Sequence, residues 1–200
     1  MNSALTPQVA APGIVLGASA AVRQVAGLFR PAAPSVITRR FGGRPPPRRD
    51  AAEAQVDITR QSLRVALDWQ MEAVRVWREH PLFGAGFKET MAKIGLERRS
   101  LVLFRTDAGP LRFAYIGETQ RRFFGDAWAD ANIGKPQADS GYDAMAKALN
   151  AQYMEAILGG EPVHNHVVMR GLPGAPITYT HTLIGWNLGD RQVVVAMVAY

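Results

Sequence analysis

Three of the four histidines of this 200-residue chain, His164, His166 and His181, lie in its last forty residues. His164 and His166 stand two apart in the run from Pro162 to Arg170. That run reads as a strand, so the two side chains share one face. A hairpin centred between Pro173 and Gly174 would set His166 opposite His181. Three imidazoles on one face have the ligand types for zinc, copper or haem iron, with a carboxylate or water completing the sphere. Val163, Val167 and Met169 alternate with the histidines and mark the buried face, which turns the imidazoles toward solvent or a partner. A one-residue shift of register would break the alignment. Clustered imidazoles near pH 6 could instead act by taking up protons.

Catalytic patterns are otherwise absent. The chain contains no nucleophile elbow, phosphate loop or His-Glu-x-x-His pattern, and Gly84-Ala-Gly86 is too short for a dinucleotide turn. With no cysteine at all, disulfides, thiolate nucleophiles and Cys-based metal sites are excluded. The aromatics form a second group: Phe113, Tyr115, Phe123, Phe124, Trp128, Tyr142, Tyr153, Tyr179 and Trp186 come from segments that would meet across a sheet. Most such residues are core. Trp128 and Tyr142, in the least regular stretch, are the better candidates for a pocket wall.

Charge divides the chain. Of its 23 lysines and arginines, seven arginines fall in residues 1–50, against Asp50 as the one acid there. The remaining 16 basic and 16 acidic residues cancel, so the formal +6 belongs to the arm. A neutral body argues against a nucleic-acid-binding core. Residues 1–50, with seven of the thirteen prolines, read as a disordered basic arm; its stretch from Arg39 to Arg49 is suited to acidic lipids, RNA or an acidic partner. No segment has the length and polarity of a membrane span, and a cytoplasmic location is expected. Apolar residues at 48% suffice for a buried core.

Residues 51–81 are expected to form an amphipathic helix. Ala51 to Glu79 has no glycine or proline, and Leu63, Leu67, Met71, Val74 and Trp77 recur at spacings of four and three. Packing on the chain's own sheet is the ordinary use of such a stripe; a dimerising or signal-transmitting helix is the functional one. His80-Pro81 ends it. Residues 82–200 then read as a short helix (Phe87 to Ile94), strands at Ser100 to Phe104 and Leu111 to Ile116, and short helices at Gln120 to Phe124 and Asp126 to Ala131. A helix from Tyr142 to Leu158 follows, capped by Ser140 and stopped by Gly159-Gly160. Three strands close the chain, Pro162 to Arg170, Ile177 to Trp186 and Gln192 to Tyr200.

This order resembles the PAS fold, an α+β domain whose five-stranded antiparallel sheet carries flanking helices across one face. Arg112-Phe-Ala-Tyr-Ile-Gly117 looks like the second strand of a divergent bacterial PAS family. Phe124-Gly125, Ile133-Gly134-Lys135 and Gly160-Glu161-Pro162 sit where that family places its middle-helix glycines and the start of its third strand. Trp77-Arg-Glu-His-Pro81 is similar to the end of its N-terminal helix. The likeness covers about residues 60–200.

The resemblance implies a non-catalytic sensory module in signal transduction. Its small ligand would sit among Phe113, Tyr115, Phe124, Trp128, Tyr142 and Tyr179, and no cysteine is present for flavin photochemistry. No output domain follows Tyr200, so a homodimer signalling to another protein through its N-terminal helix is expected. The alternative is a small cone-shaped α+β enzyme of the isomerase or dehydratase kind, with His181 and Asp126 or Asp143 as acid–base pair.

Overall fold

Leu101 and Leu103 alternate with Val102 and Phe104, and all four are buried. A strand apolar on both sides must be covered on both sides. The computed structural model shows this, describing residues 55–170 and 176–200. The expected basic arm, residues 51–54 and most of the loop around Pro173 and Gly174 lie outside the described residues.

The elements are β1 (Gln55–Gln61), α1 (Asp68–Glu79), α2 (Ala85–Lys93), β2 (Ser100–Thr106), β3 (Arg112–Ile116), α3 (Glu118–Phe124), α4 (Asp126–Asn132), α5 (Asp143–Gly159), β4 (Val163–Arg170), β5 (Ile177–Leu188) and β6 (Arg191–Ala199). The six strands form one antiparallel sheet in the order β1-β4-β5-β6-β2-β3. Among the described residues no helix is long and apolar enough to cross a membrane.

The sheet has a helical layer on each face rather than on one. Leu149, Tyr153, Ala156 and Ile157 of α5, with Ala129 of α4, pack on Leu101, Leu103, Phe113, Val163, Val167, Leu183, Val194 and Ala196. On the other face Ala73, Val74 and Val76 of α1, with Phe87 and Met91 of α2, cover Val102, Phe104, Ile184, Trp186, Val193, Val195 and Met197. Each fully buried aliphatic side chain is worth about 1.5–3 kcal/mol, so the α1 layer contributes substantially to the fold.

The expected helix over residues 51–81 is corrected. Among its described residues, Gln55–Gln61 is strand β1 and only Asp68–Glu79 is α-helical. Val56 and Ile58 alternate in β1 and pack into the α5-side core, while the strand pairs with the edge of β4. Asp57 and Arg170 form an ion pair across that pairing. Ser62 then caps a short 3-10 turn at Leu63–Val65 by accepting from Arg64 N, and Leu67 is extended. Helix formers yielded because an open sheet edge offered hydrogen bonds and apolar cover. The expected five-stranded sheet is therefore six-stranded.

Helix α5 stops where expected, with Gly160 left-handed at φ 66°. Ser140 does not cap it: Tyr142 precedes the helix without a side-chain cap, and Ser140 Oγ is buried without a partner. The Ser140 carbonyl instead accepts from Trp128 Nε1 at 3.0 Å.

Candidate functional site

Arg60, Asn165 and His181 stand side by side on β1, β4 and β5, because Arg60 pairs with Asn165 and Asn165 with His181. All three face α5. Asn165 uses its whole amide: Oδ1 accepts from Arg60 Nε at 2.8 Å, and Nδ2 donates to Gln152 Oε1 at 3.1 Å and to His181 Nε2 at 2.9 Å. Arg60 Nη2 also donates to Gln152 Oε1 at 3.1 Å and Glu155 Oε2 at 2.6 Å. A row of polar groups thus runs from the surface at Arg60 and Glu155 to a buried imidazole.

Accepting a hydrogen bond at Nε2 requires the neutral ring with its hydrogen on Nδ1. Burial enforces that state, with His164 and Arg60 adding repulsion, and pushes the His181 pKa down to about 3. The imidazole is thus a hydrogen-bonding group here and remains uncharged near pH 6. Beyond it the ring of Tyr179 lies 5.8 Å away, and Tyr200 lies 5.4 Å from Tyr179. Burial raises the pKa of the Tyr153, Tyr179 and Tyr200 phenols, which therefore stay protonated.

Tyr200 stacks on Phe123 at 4.5 Å, and Phe123 meets Phe124 at 4.8 Å. Phe124 in turn touches Trp128 at 4.5 Å and Tyr142 at 5.3 Å, and Trp128 touches Phe113 at 5.8 Å. Edge and offset contacts of this kind favour a fixed arrangement. The α5 side of the sheet therefore carries a continuous aromatic series ending at His181.

Of the expected pocket residues, Phe113, Phe124, Trp128 and Tyr142 come together, and Tyr179 joins them through Tyr200 and Phe123. Tyr115 does not. It stands opposite Val102 on the α1 face, where a bulge between Val102 and Leu103 alters the pairing.

The expected histidine triad is also corrected. His166 pairs with Thr180, and His181 with Asn165, one residue away from the expected register. His181 thus faces α5 while His164 and His166 face the other way. His164 is not turned to solvent: it is 1% exposed, with Nδ1 2.9 Å from Thr182 Oγ1 and Nε2 without a partner. Among the described residues no three His, Cys, Asp or Glu side chains converge on a metal position.

The stripe on α1 is divided as well. Val74 is fully buried against the sheet, and Met71 and Trp77 are partly buried. Leu63 is partly buried in the 3-10 turn, and Leu67 remains 48% exposed.

Sequence reasoning missed Arg60, Gln152 and Asn165. Arg60 was hidden by the helical reading of its segment. Asn165 was legible, since it alternates with Val163 and Val167 and so belongs to the inward face. No protein-family model matches the chain, and no curated protein matches it.

Proposed function

We propose that residues 82–200 form a PAS-like sensory domain, that the aromatic and imidazole face under α5 receives a small ligand or partner, and that α1 transmits the response. One observation carries this reading. With β1 set aside, the five strands that follow α1 stand in the order second, first, fifth, fourth, third along the chain, which is the order of the PAS sheet. The extra strand β1 and the α1–α2 layer are departures from that pattern.

The two faces give the reading a mechanism. Along β5, Tyr179, His181 and Leu183 face α5, while Thr182, Ile184 and Trp186 face α1. Hydrogen bonds join α1 to both β5 and β6: Gln70 Nε2 donates to the Met197 carbonyl of β6 at 2.9 Å, and Trp77 Nε1 to the Gly185 carbonyl of β5 at 3.1 Å. An occupant that repacks Tyr179, Tyr200 or Phe123 would shift β5 and β6 and bias the seating of α1. Output then passes to another signalling protein. A homodimer would use the segment leading into α1, where Val65 is 62% and Leu67 48% exposed.

The acid–base alternative needs a carboxylate at His181. An amide, Asn165, holds that ring nitrogen instead, and Asp126 lies against Arg121 at 3.4 Å.

Mass spectrometry of the purified protein, native and then denatured, tests the sensory reading. A retained small molecule whose removal alters hydrogen exchange across α1 is the expected result. If nothing is retained and no compound from a metabolite library changes α1 protection, the reading is lost.

A further inference from the structure

A cleft of about 350 Å³ opens between the segment after α2 and the start of α3, lined by Gly95, Arg98, Arg99, Glu118, Thr119 and Arg122. It shares no residue with the aromatic and imidazole face. Three guanidiniums and one carboxylate line it, and the nearby Glu97 carboxylate also acts on Arg98, so the lining keeps an excess of positive charge that Glu97 offsets in part. Glu118 is divided between two of the guanidiniums: one oxygen lies 3.7 Å from Arg98 Nε and the other 3.6 Å from Arg122 Nη2. Neither distance makes a hydrogen bond. Arg98 and Arg122 are 71% and 83% exposed, so their N–H forks remain open to a ligand. Arg99 is placed differently, its guanidinium 4.8 Å over the ring of Trp69 on α1. The Thr119 hydroxyl adds a further donor beside the charges.

From this cleft we infer an anion site for a small soluble compound bearing a phosphoryl dianion, such as a diphosphate or phosphate ester. Guanidinium forks match the geometry of phosphoryl oxygens, and two exposed forks flanking Glu118 can engage several oxygens of a phosphoryl group where a single carboxylate offers two. The volume lies within the range of small-molecule sites. Residues 51–200 carry equal numbers of acidic and basic side chains. The cleft is thus a cluster of guanidiniums within a stretch of chain that is neutral as a whole, unlike the basic domains that bind nucleic acid or an acidic membrane surface.

Calorimetric titration of the full chain with inorganic pyrophosphate at low ionic strength tests the site. Saturable binding is expected, at least ten-fold weaker in Arg98→Ala/Arg122→Ala and several-fold tighter in Glu118→Gln, which removes the competing carboxylate. An Arg48→Ala/Arg49→Ala control in the basic arm should leave the affinity unchanged, and circular dichroism checks that each variant folds. The inference is overturned by absence of binding at millimolar pyrophosphate, by equal affinity in the Arg98/Arg122 variant, or by loss of binding in the arm control. It is also overturned if phosphatidic acid vesicles, tested in parallel, are bound through Arg98 and Arg122 while pyrophosphate is not.

Discussion

Trp77 donates its indole N–H to the carbonyl of Gly185 at 3.1 Å, joining α1 to the middle of β5. Behind the same residue, α5 leaves no room for a side chain. A Cβ on Gly185 would stand 2.7 Å from Ile157 Cα and closer still to the Ala156 carbonyl. Gly185 is therefore where both helical layers meet the sheet.

Gly185→Ala should force α5 away from β5. Overpacking of this kind costs about 1–3 kcal/mol, and here the obstructing atoms are backbone, which puts the cost at the upper end. Urea unfolding measures it; a variant as stable as the wild type would show that α5 is not seated on β5 as described.

Trp77→Phe keeps most of the ring contact with Trp186, whose centroid lies 6.5 Å from that of Trp77, but removes the bond to Gly185. The expected loss is about 1 kcal/mol. The sensory reading adds a second expectation: an occupant of the α5 face should alter hydrogen exchange in α1 less in this variant than in the wild type.

Stability should fall as pH falls. Above about pH 6.5 the His181 ring is neutral folded or unfolded. Between about 6.5 and 3 the unfolded chain binds a proton that the folded chain refuses, because burial first, then His164 and Arg60, hold the folded pKa at about 3. The unfolded state gains on the order of 4–5 kcal/mol by the acid end of that window. His164, its pKa lowered chiefly by burial, acts in the same direction. Urea unfolding at pH 8 and pH 5 should give a clear difference, reduced in His181→Gln.

Asn165→Asp reverses the local electrostatics. A carboxylate in place of the amide would favour the protonated ring and raise the His181 pKa by roughly one to three pH units. Following the imidazole by NMR across pH decides it, and an unchanged pKa would mean that position 165 does not hold the ring.

A Val65→Asp/Leu67→Asp variant tests self-association. Both residues are exposed, at 62% and 48%, so the fold should survive. Light scattering should give a dimer for the wild type and a monomer for the variant. The fully buried Val74 is unsuited to this test, since a charge there would disrupt the sheet packing.

Much of the fold was legible. The strand positions of β2 to β6, the short helices around Phe124-Gly125 and the stop of α5 at Gly159-Gly160 follow from local chemistry that travels with the residues. The aromatic half of the site was readable on the same terms, because Phe113, Phe124, Trp128 and Tyr142 belong to elements that must cover one sheet. What failed was non-local. Gln55–Gln61 has ordinary helix formers beside the alternating Val56 and Ile58, and the free edge of β4 settled the competition in favour of strand.

The three histidines show the division most clearly. Their chemical types, the two-residue spacing of His164 and His166, and their place in the final strands are properties of the sequence by itself. Which of them share a face was decided by the pairing of β4 with β5, where Asn165 rather than His166 stands opposite His181. A strand alternates its side chains every residue, so a slip of one moves a whole set to the other face. That single step parted His181 from His164 and His166, and left an imidazole that burial under α5 keeps neutral and to which Asn165 donates.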